Sequence, residues 1–279
     1  MSLAHRLLRK PFFGRFEVPW RWPRGADEGD RERVALVGAG GARLAALWGE
    51  ARGDARAAVV LAHPMGKAAK GFWLRPGSCG RPSAAGLFRR AGFHVLAVDA
   101  NGFGESGAAS FDYPADVLAA GQWAARRAPG LLVGLVGASF GAGWGLCAMA
   151  REGSPFRAAV LEAAFPTLPE FWRHYPVAHA ALRASQVVWP RLERGLRPER
   201  EAARVVGHPD VLLVYGDADA YTPPAHGERL ARALGTSAHA DLLVLPDVGH
   251  THAYRDAPRA YERAVVPFLQ ASLARPLPS

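Results

Sequence analysis

Three residues spaced along this chain could together activate an oxygen nucleophile. Ser139 sits in Gly137-Ala138-Ser139-Phe140-Gly141, a G-x-S-x-G pentapeptide. The apolar run Leu131–Val136 leads into it, and the small-residue stretch Ala142–Ala150 leads out. That context reads as a strand, a sharp turn and a helix, with the serine in a strained turn and its Oγ exposed. A serine hydroxyl is a weak nucleophile at neutral pH. It needs an adjacent base, and the base needs a third group to fix its tautomer. Downstream come Gly216-Asp217-Ala218-Asp219 and Asp247-Val248-Gly249-His250, each directly after an apolar run. The assignment is Ser139 as nucleophile, Asp219 as orienting acid and His250 as general base. Asp217 is the alternative acid and His252 the alternative base. A metal on His250 and His252 would need a further ligand motif, and none is visible, so neither metal nor cofactor is expected. A developing oxyanion needs backbone N–H donors. They are placed at Phe140, which follows the nucleophile, and at Met65, in the loop after an earlier strand.

These residues need a frame that brings distant segments to one edge. Arg33–Leu36 and Ala42–Gly49 read as strands joined across Gly38-Ala39-Gly40-Gly41. Strands are predicted at Ala57–Ala62, Phe93–Val98, Leu131–Val136, Ala158–Glu162, Asp210–Tyr215 and Ala240–Leu245. Helices are predicted at Ser83–Ala91, Ala115–Arg127, Ala142–Ala150, Ala225–Leu234 and Pro258–Leu273. Strands alternating with helices in this way build a mostly parallel, eight-stranded sheet with helices on both faces. Ligands then bind at the carboxyl ends of the strands. His63-Pro64-Met65-Gly66, Asp99-Ala100-Asn101-Gly102, Ser139, Asp219 and His250 all fall at such ends. Between Ala164 and Val206 the pattern is helical, aromatic and broken by prolines, a long connection of the kind that carries function.

Composition narrows the class. The chain has 279 residues, of which 49% are hydrophobic, an ordinary globular balance with room for one large core. The net charge of +9 is almost entirely arginine, with lysine only at Lys10, Lys67 and Lys70. There is no basic block and no nucleic-acid motif, so no nucleic-acid partner is expected. The two cysteines, Cys79 and Cys147, lack metal spacing. No N-terminal apolar run with a cleavage site is seen, and a cytoplasmic location is the expectation. Residues 128–150 carry no charge and are long enough to span a membrane, but six glycines and a proline make a poor single helix. Residues 1–24 carry six basic residues against one Glu, interleaved with Leu, Phe and Trp. They read either as a membrane-peripheral segment or as an arm packing its aromatics onto the domain. The domain division is an arm at 1–32 and a domain at 33–275.

The motifs resemble those of the α/β-hydrolase superfamily. The matching pieces are His63-Pro64-Met65-Gly66, Asp99-x-x-Gly102-x-Gly104-x-Ser106, Gly137-x-Ser139-x-Gly141, Gly216-x-x-Asp219-x-x-Thr222-Pro223 and Gly249-His250. Leu161-Glu162-Ala163-Ala164-Phe165 and Pro246-Asp247-x-Gly249-His250 make the chain most similar to the serine aminopeptidase-like and protein-depalmitoylase-like branches. The resemblance implies an α/β-hydrolase fold with a helical cap at about 165–205 and a Ser139–His250–Asp219 triad. It also implies a small-molecule ester or thioester substrate cleaved through an acyl-enzyme. The cap would bring Phe165, Phe171, Trp172, Tyr175 and Trp189, either to line an acyl pocket or to pack the cap onto the sheet. One departure is His63-Pro64, where many members have His-Gly. Gly102-Phe103-Gly104-Glu105-Ser106 is expected to shape the loop rather than to react. A peptidase or amidase of the same fold is the alternative activity, and a non-catalytic membrane-associated binding protein is the alternative class.

Overall fold

A computed structural model describes residues 20–188 and 197–274. Its eight strands are β1 (Glu32–Val37), β2 (Arg43–Gly49), β3 (Ala57–Ala62), β4 (Phe93–Val98), β5 (Val133–Ala138), β6 (Phe156–Glu162), β7 (Asp210–Gly216) and β8 (His239–Leu245). They form one sheet in the order β1-β2-β4-β3-β5-β6-β7-β8. β2 runs antiparallel to both of its neighbours, and the remaining pairs are parallel.

The central strands are apolar on both sides because both faces are covered. In β3, Ala58, Val60 and Ala62 point to one core, while Ala57, Val59 and Leu61 point to the other. The first core is roofed by α2 (Tyr113–Arg127) and α3 (Phe140–Met149), and the second by α1 (Ala84–Arg90) and α9 (Pro258–Ser272). The remaining helices are α4 (Leu168–Phe171), α5 (Pro176–Val188), α6 (Pro198–Ala202), α7 (Pro224–Leu234) and α8 (Ala253–Asp256). The first three of these lie in the β6–β7 connection expected to be the cap.

The strand order places the site. From β3 the chain moves outward to β4, then returns past β3 to β5 on its other side. The crossovers therefore cover opposite faces, α1 on one and α2 on the other, and a crevice opens between the carboxyl ends of β3 and β5. Met65 follows β3 and Ser139 follows β5, so both candidate residues border that crevice.

Element boundaries moved where the sequence signal was one of hydrophobicity alone. β5 runs two residues later than the apolar run, because its hydrogen-bonded register with β6 continues to Ala138. α3 starts at Phe140, directly after the serine, rather than at Ala142. α2 starts at Tyr113 because Asp112 caps it by accepting from the Ala115 N–H.

The basic-aromatic arm lies outside the described residues up to position 19. Its last two tryptophans are described, and their rings flank the buried Lys70 ammonium at 5.5 Å for Trp20 and 5.9 Å for Trp22. These two aromatics pack onto the domain. Among the described residues, no helix is long and apolar enough to cross a membrane. Residues 128–150 instead form the connection after α2, then β5, the turn at Ser139 and α3.

Candidate active site

Ser139 has φ 51° and ψ −111°, a conformation that costs free energy for a residue with a Cβ. The surrounding backbone imposes it. The Ser139 N–H donates to the Glu162 carbonyl oxygen at 2.8 Å, and α3 begins at the next residue. Gly141 lets that helix approach β3. A Cβ there would lie 2.1 Å from the Ala62 carbonyl oxygen and 2.7 Å from that of His63. Gly137 plays the matching part on the strand side, where a Cβ would meet the Gly141 oxygen at 2.6 Å.

The structure brings Ser139, His250 and Asp219 together. His250 Nε2 lies 2.8 Å from Ser139 Oγ, and Nδ1 lies 2.7 Å from Asp219 Oδ2. With the Nδ1–H donated to the carboxylate, Nε2 is left as the acceptor for the serine proton. Burial alone would raise the Asp219 pKa. Hydrogen bonding and charge attraction from His250, with the bonds from Thr222, outweigh it and hold the carboxyl below its usual range. The donors are the Tyr221 N–H at 2.8 Å, the Thr222 N–H at 3.0 Å and the Thr222 hydroxyl at 2.5 Å.

The alternatives named from sequence lie elsewhere. Asp217 accepts the Asp247 N–H at 2.7 Å and so ties together the loops after β7 and β8. His252 meets Arg255 and Asp256 on its own short helix. Among the described residues no cluster of His, Cys, Asp or Glu is arranged to hold a metal.

Phe140 and Met65 line the same cleft as Ser139. Neither amide N–H donates to another described backbone group, so both are free for an incoming oxygen. The Met65 loop is held by His63, which the sequence reading had assigned only to a motif. His63 Nδ1–H donates to the Pro64 carbonyl oxygen at 2.8 Å, and Nε2 accepts the Ala100 N–H at 3.1 Å. Burial lowers its pKa, in keeping with the neutral ring that this acceptor role requires. Proline at 64 is tolerated because its carbonyl, not an N–H, is what the loop uses. A second tie is the buried Lys70, whose N–H and ammonium both bind Asp99, at 2.7 and 2.6 Å. Ser106 braces the same loop by donating to the Asp99 carbonyl oxygen and accepting the Ala45 N–H.

The cleft over Ser139 has a volume of about 340 Å³. Phe171, Trp172, Tyr175 and Tyr221 supply most of its apolar wall, with Phe72 and Met65 from the segment after β3. Phe165 is different. It is buried and stacks edge-on against Phe140 at 5.2 Å, packing the cap connection onto the domain. The cap aromatics thus divide between lining the cleft and packing onto the domain, and Trp189 lies outside the described residues.

Glu162 carries no role in the sequence beyond its place in Leu161-Glu162-Ala163-Ala164-Phe165. It is a buried carboxyl at the end of β6 that accepts the Ala253 N–H at 2.9 Å. Burial pushes its pKa up to about 7, against the pull of that hydrogen bond and of nearby His250. A carboxyl closing the apolar run Ala158–Leu161 is the signal that could single it out.

Comparison with known proteins places the chain. A model of the prolyl oligopeptidase family matches residues 83–275, more than half of the sequence. The chain belongs to that family. The matched span contains Ser139, Asp219 and His250 and leaves out the Met65 loop. No curated protein sequence matches the chain. Solved structures match across most of it. Pyrococcus furiosus esterase Pf2001 aligns with a TM-score of 0.67 at 16% identity, covering 88% of this chain and 91% of that one. Acetyl xylan esterase 1 from a Thermoanaerobacterium species aligns at 0.62 and 18%, covering 86% and 83%. Pyrococcus horikoshii acylaminoacyl peptidase aligns at 0.66 and 15%, covering 88% of this chain and 42% of the peptidase. At these identities the likeness shows the α/β-hydrolase fold. The chain is a serine hydrolase of that family, and its neighbours in fold include esterases and a peptidase.

Proposed function

We propose that the protein is a serine esterase or thioesterase working through an acyl-enzyme. The observation that carries this is the run of hydrogen bonds from Ser139 Oγ through His250 to Asp219, opening into an aromatic cleft. Ser139 Oγ attacks the substrate carbonyl carbon as His250 Nε2 takes the hydroxyl proton. Asp219 holds the other ring nitrogen and stabilises the imidazolium. The Met65 and Phe140 N–H groups bind the tetrahedral oxyanion. Collapse of that intermediate expels an alkoxide or thiolate, which takes the proton from Nε2. Water then attacks the acyl-enzyme with the same base and releases the acid.

Membership of the prolyl oligopeptidase family favours a second reading, cleavage of a peptide or amide. What supports an ester is the cleft wall, in which no described residue is a carboxylate able to receive a substrate amine. The test is labelling by a fluorophosphonate probe, with wild type beside Ser139→Ala. The wild type is expected to label and the variant not, and turnover of the best substrate should drop on the order of 10⁶-fold. A matched panel of esters, thioesters and amides then ranks the two readings. Amide turnover equal to ester turnover would move the assignment to the peptidase. A wild type that neither labels nor turns over any of them would overturn both.

A further inference from the structure

We propose that Arg75 selects substrates whose leaving group carries a carboxylate. The inference rests on the serine hydrolase reading above and names the substrate class of that same site. Arg75 is the one cationic side chain, aside from the imidazole of the base, that lines the cleft among the described residues, and no carboxylate accompanies it. It makes no hydrogen bond or ion pair with a described residue; its contact is with the face of Phe72, 5.4 Å from the ring centre. Stacking on a ring leaves the edge of the guanidinium, with its fork of N–H donors, open.

The nearby Arg255 does not share that state: it pairs with Asp256 at 2.7 Å, and Arg81, six residues on from Arg75, pairs with Glu262 at 2.8 Å. Partial desolvation and the nearby Arg255 both act against the charge on Arg75. A bound anion would offset both. A single open guanidinium matches a carboxylate, which takes two parallel N–H bonds from one fork. A phosphate dianion could take the same fork but would keep one negative charge unmatched, since Arg255 is already engaged with Asp256.

The leaving-group side follows from what lies around Arg75. Arg75 lines the cleft together with His250 and Thr251, and three residues on the Ser78 hydroxyl donates to the Arg255 carbonyl oxygen at 2.9 Å, so Arg75 stands beside the segment that carries His250. His250 Nε2 must hand its proton to the leaving group, which therefore departs on that side. The acyl group is left to the cap aromatics Trp172 and Tyr175.

The test compares three esters. The first is the hexanoyl ester of 3-hydroxybenzoic acid, the second is the same ester with its carboxyl methylated, and the third has the methylated leaving group and an acyl chain ending in a carboxylate. The readout is kcat/KM for wild type, Arg75→Gln and Arg75→Lys. Comparing each ratio between wild type and variant removes the intrinsic reactivity of the leaving groups. The wild-type preference for the first ester over the second is expected to exceed that of Arg75→Gln about tenfold, carried by KM. Arg75→Lys should keep part of it, and added salt should erode it. Equal ratios in wild type and Arg75→Gln would overturn the proposal, as would an Arg75-dependent preference for the third ester. Fluorophosphonate labelling reports separately on the serine reading. If that fails, equilibrium binding of 3-hydroxybenzoate still decides the matter, since equal affinity in wild type and Arg75→Gln refutes the role of Arg75.

Discussion

Replacing Glu162 by Gln should change how stability depends on pH more than it changes stability at any one pH. The wild-type carboxyl is buried, and its pKa rises from an ordinary 4.5 to about 7 on folding. The folded protein thus holds this proton more tightly than the unfolded chain. Relative to the ionised form, the protonated carboxyl favours the fold by roughly 3 kcal/mol. That contribution is fully present below about pH 4.5 and is lost as the pH rises through about 7. Glutamine keeps an oxygen to accept the Ala253 N–H and has no proton to lose. The assay is urea unfolding of both proteins at pH 5, 6, 7 and 8. The gap between wild type and Glu162→Gln should shift in favour of the variant by roughly 2.5 kcal/mol across that range. The slope is the readout, so a constant cost of seating the amide NH₂ does not disturb it. Parallel pH profiles would refute the reasoning, because they would mean that Glu162 ionises alike in the folded and unfolded chains.

Two further substitutions probe the support of the site. Thr222→Val removes the hydroxyl that donates to Asp219 at 2.5 Å, a bond to a buried charge worth about 1.5–3 kcal/mol. Asp219 is held below its ordinary pKa, so its contribution is present above pH 3.8 and is lost as the pH falls through the folded value. The variant should therefore unfold in acid at a higher pH than wild type and lose about tenfold in kcat/KM; acid titration by circular dichroism checks the first and steady-state kinetics the second. Gly141→Ala places a methyl 2.1 Å from the Ala62 carbonyl oxygen, where only backbone can give way. It should destabilise the fold by about 1–3 kcal/mol and slow fluorophosphonate labelling, because α3 and the Phe140 amide must move. Thermal melts with a labelling time course decide it, and unchanged values in both would show that the approach of α3 to β3 is looser than described.

The sequence carried the strands well because both-face burial leaves a continuous apolar run, as in AAVVLA for β3. It carried the boundaries less well. Hydrophobicity marks what is buried, whereas a strand ends where its ladder ends, and β5 continues through Gly137 and Ala138 for that reason. The chain of contacts from Ser139 to Asp219 was legible because chemistry restricts it to three residue types, at strand ends, in one order. Its supports were not. Nothing in the spacing says that His63 spans from the Pro64 carbonyl to the Ala100 amide, or that Lys70 reaches Asp99 twenty-nine residues on. Those contacts depend on β3 and β4 being neighbours, which is a property of sheet order. Arg75 was invisible for the opposite reason. Its interest lies in having no partner among the described residues, and in an arginine-rich chain no pattern distinguishes an unpaired guanidinium from a paired one.

Two buried carboxyls lie within electrostatic reach of the same imidazole, and their environments set them to different charges. Asp219 receives four donors, from the Tyr221 and Thr222 amides, the Thr222 hydroxyl and His250 Nδ1. That is enough to outweigh burial and keep it ionised. Glu162 receives the Ala253 amide alone among the described donors, and burial wins. The difference has a function in the mechanism proposed here. An anion at Asp219 points along the Nδ1–H axis and selects the tautomer that leaves Nε2 facing Ser139. Burial keeps the proton on Glu162 through mildly acidic conditions, so it holds the Ala253 backbone, and with it the His250 loop, without placing a second full negative charge beside the triad. On this account the donor count around each carboxyl, rather than the residue type, assigns one to catalysis and the other to the scaffold.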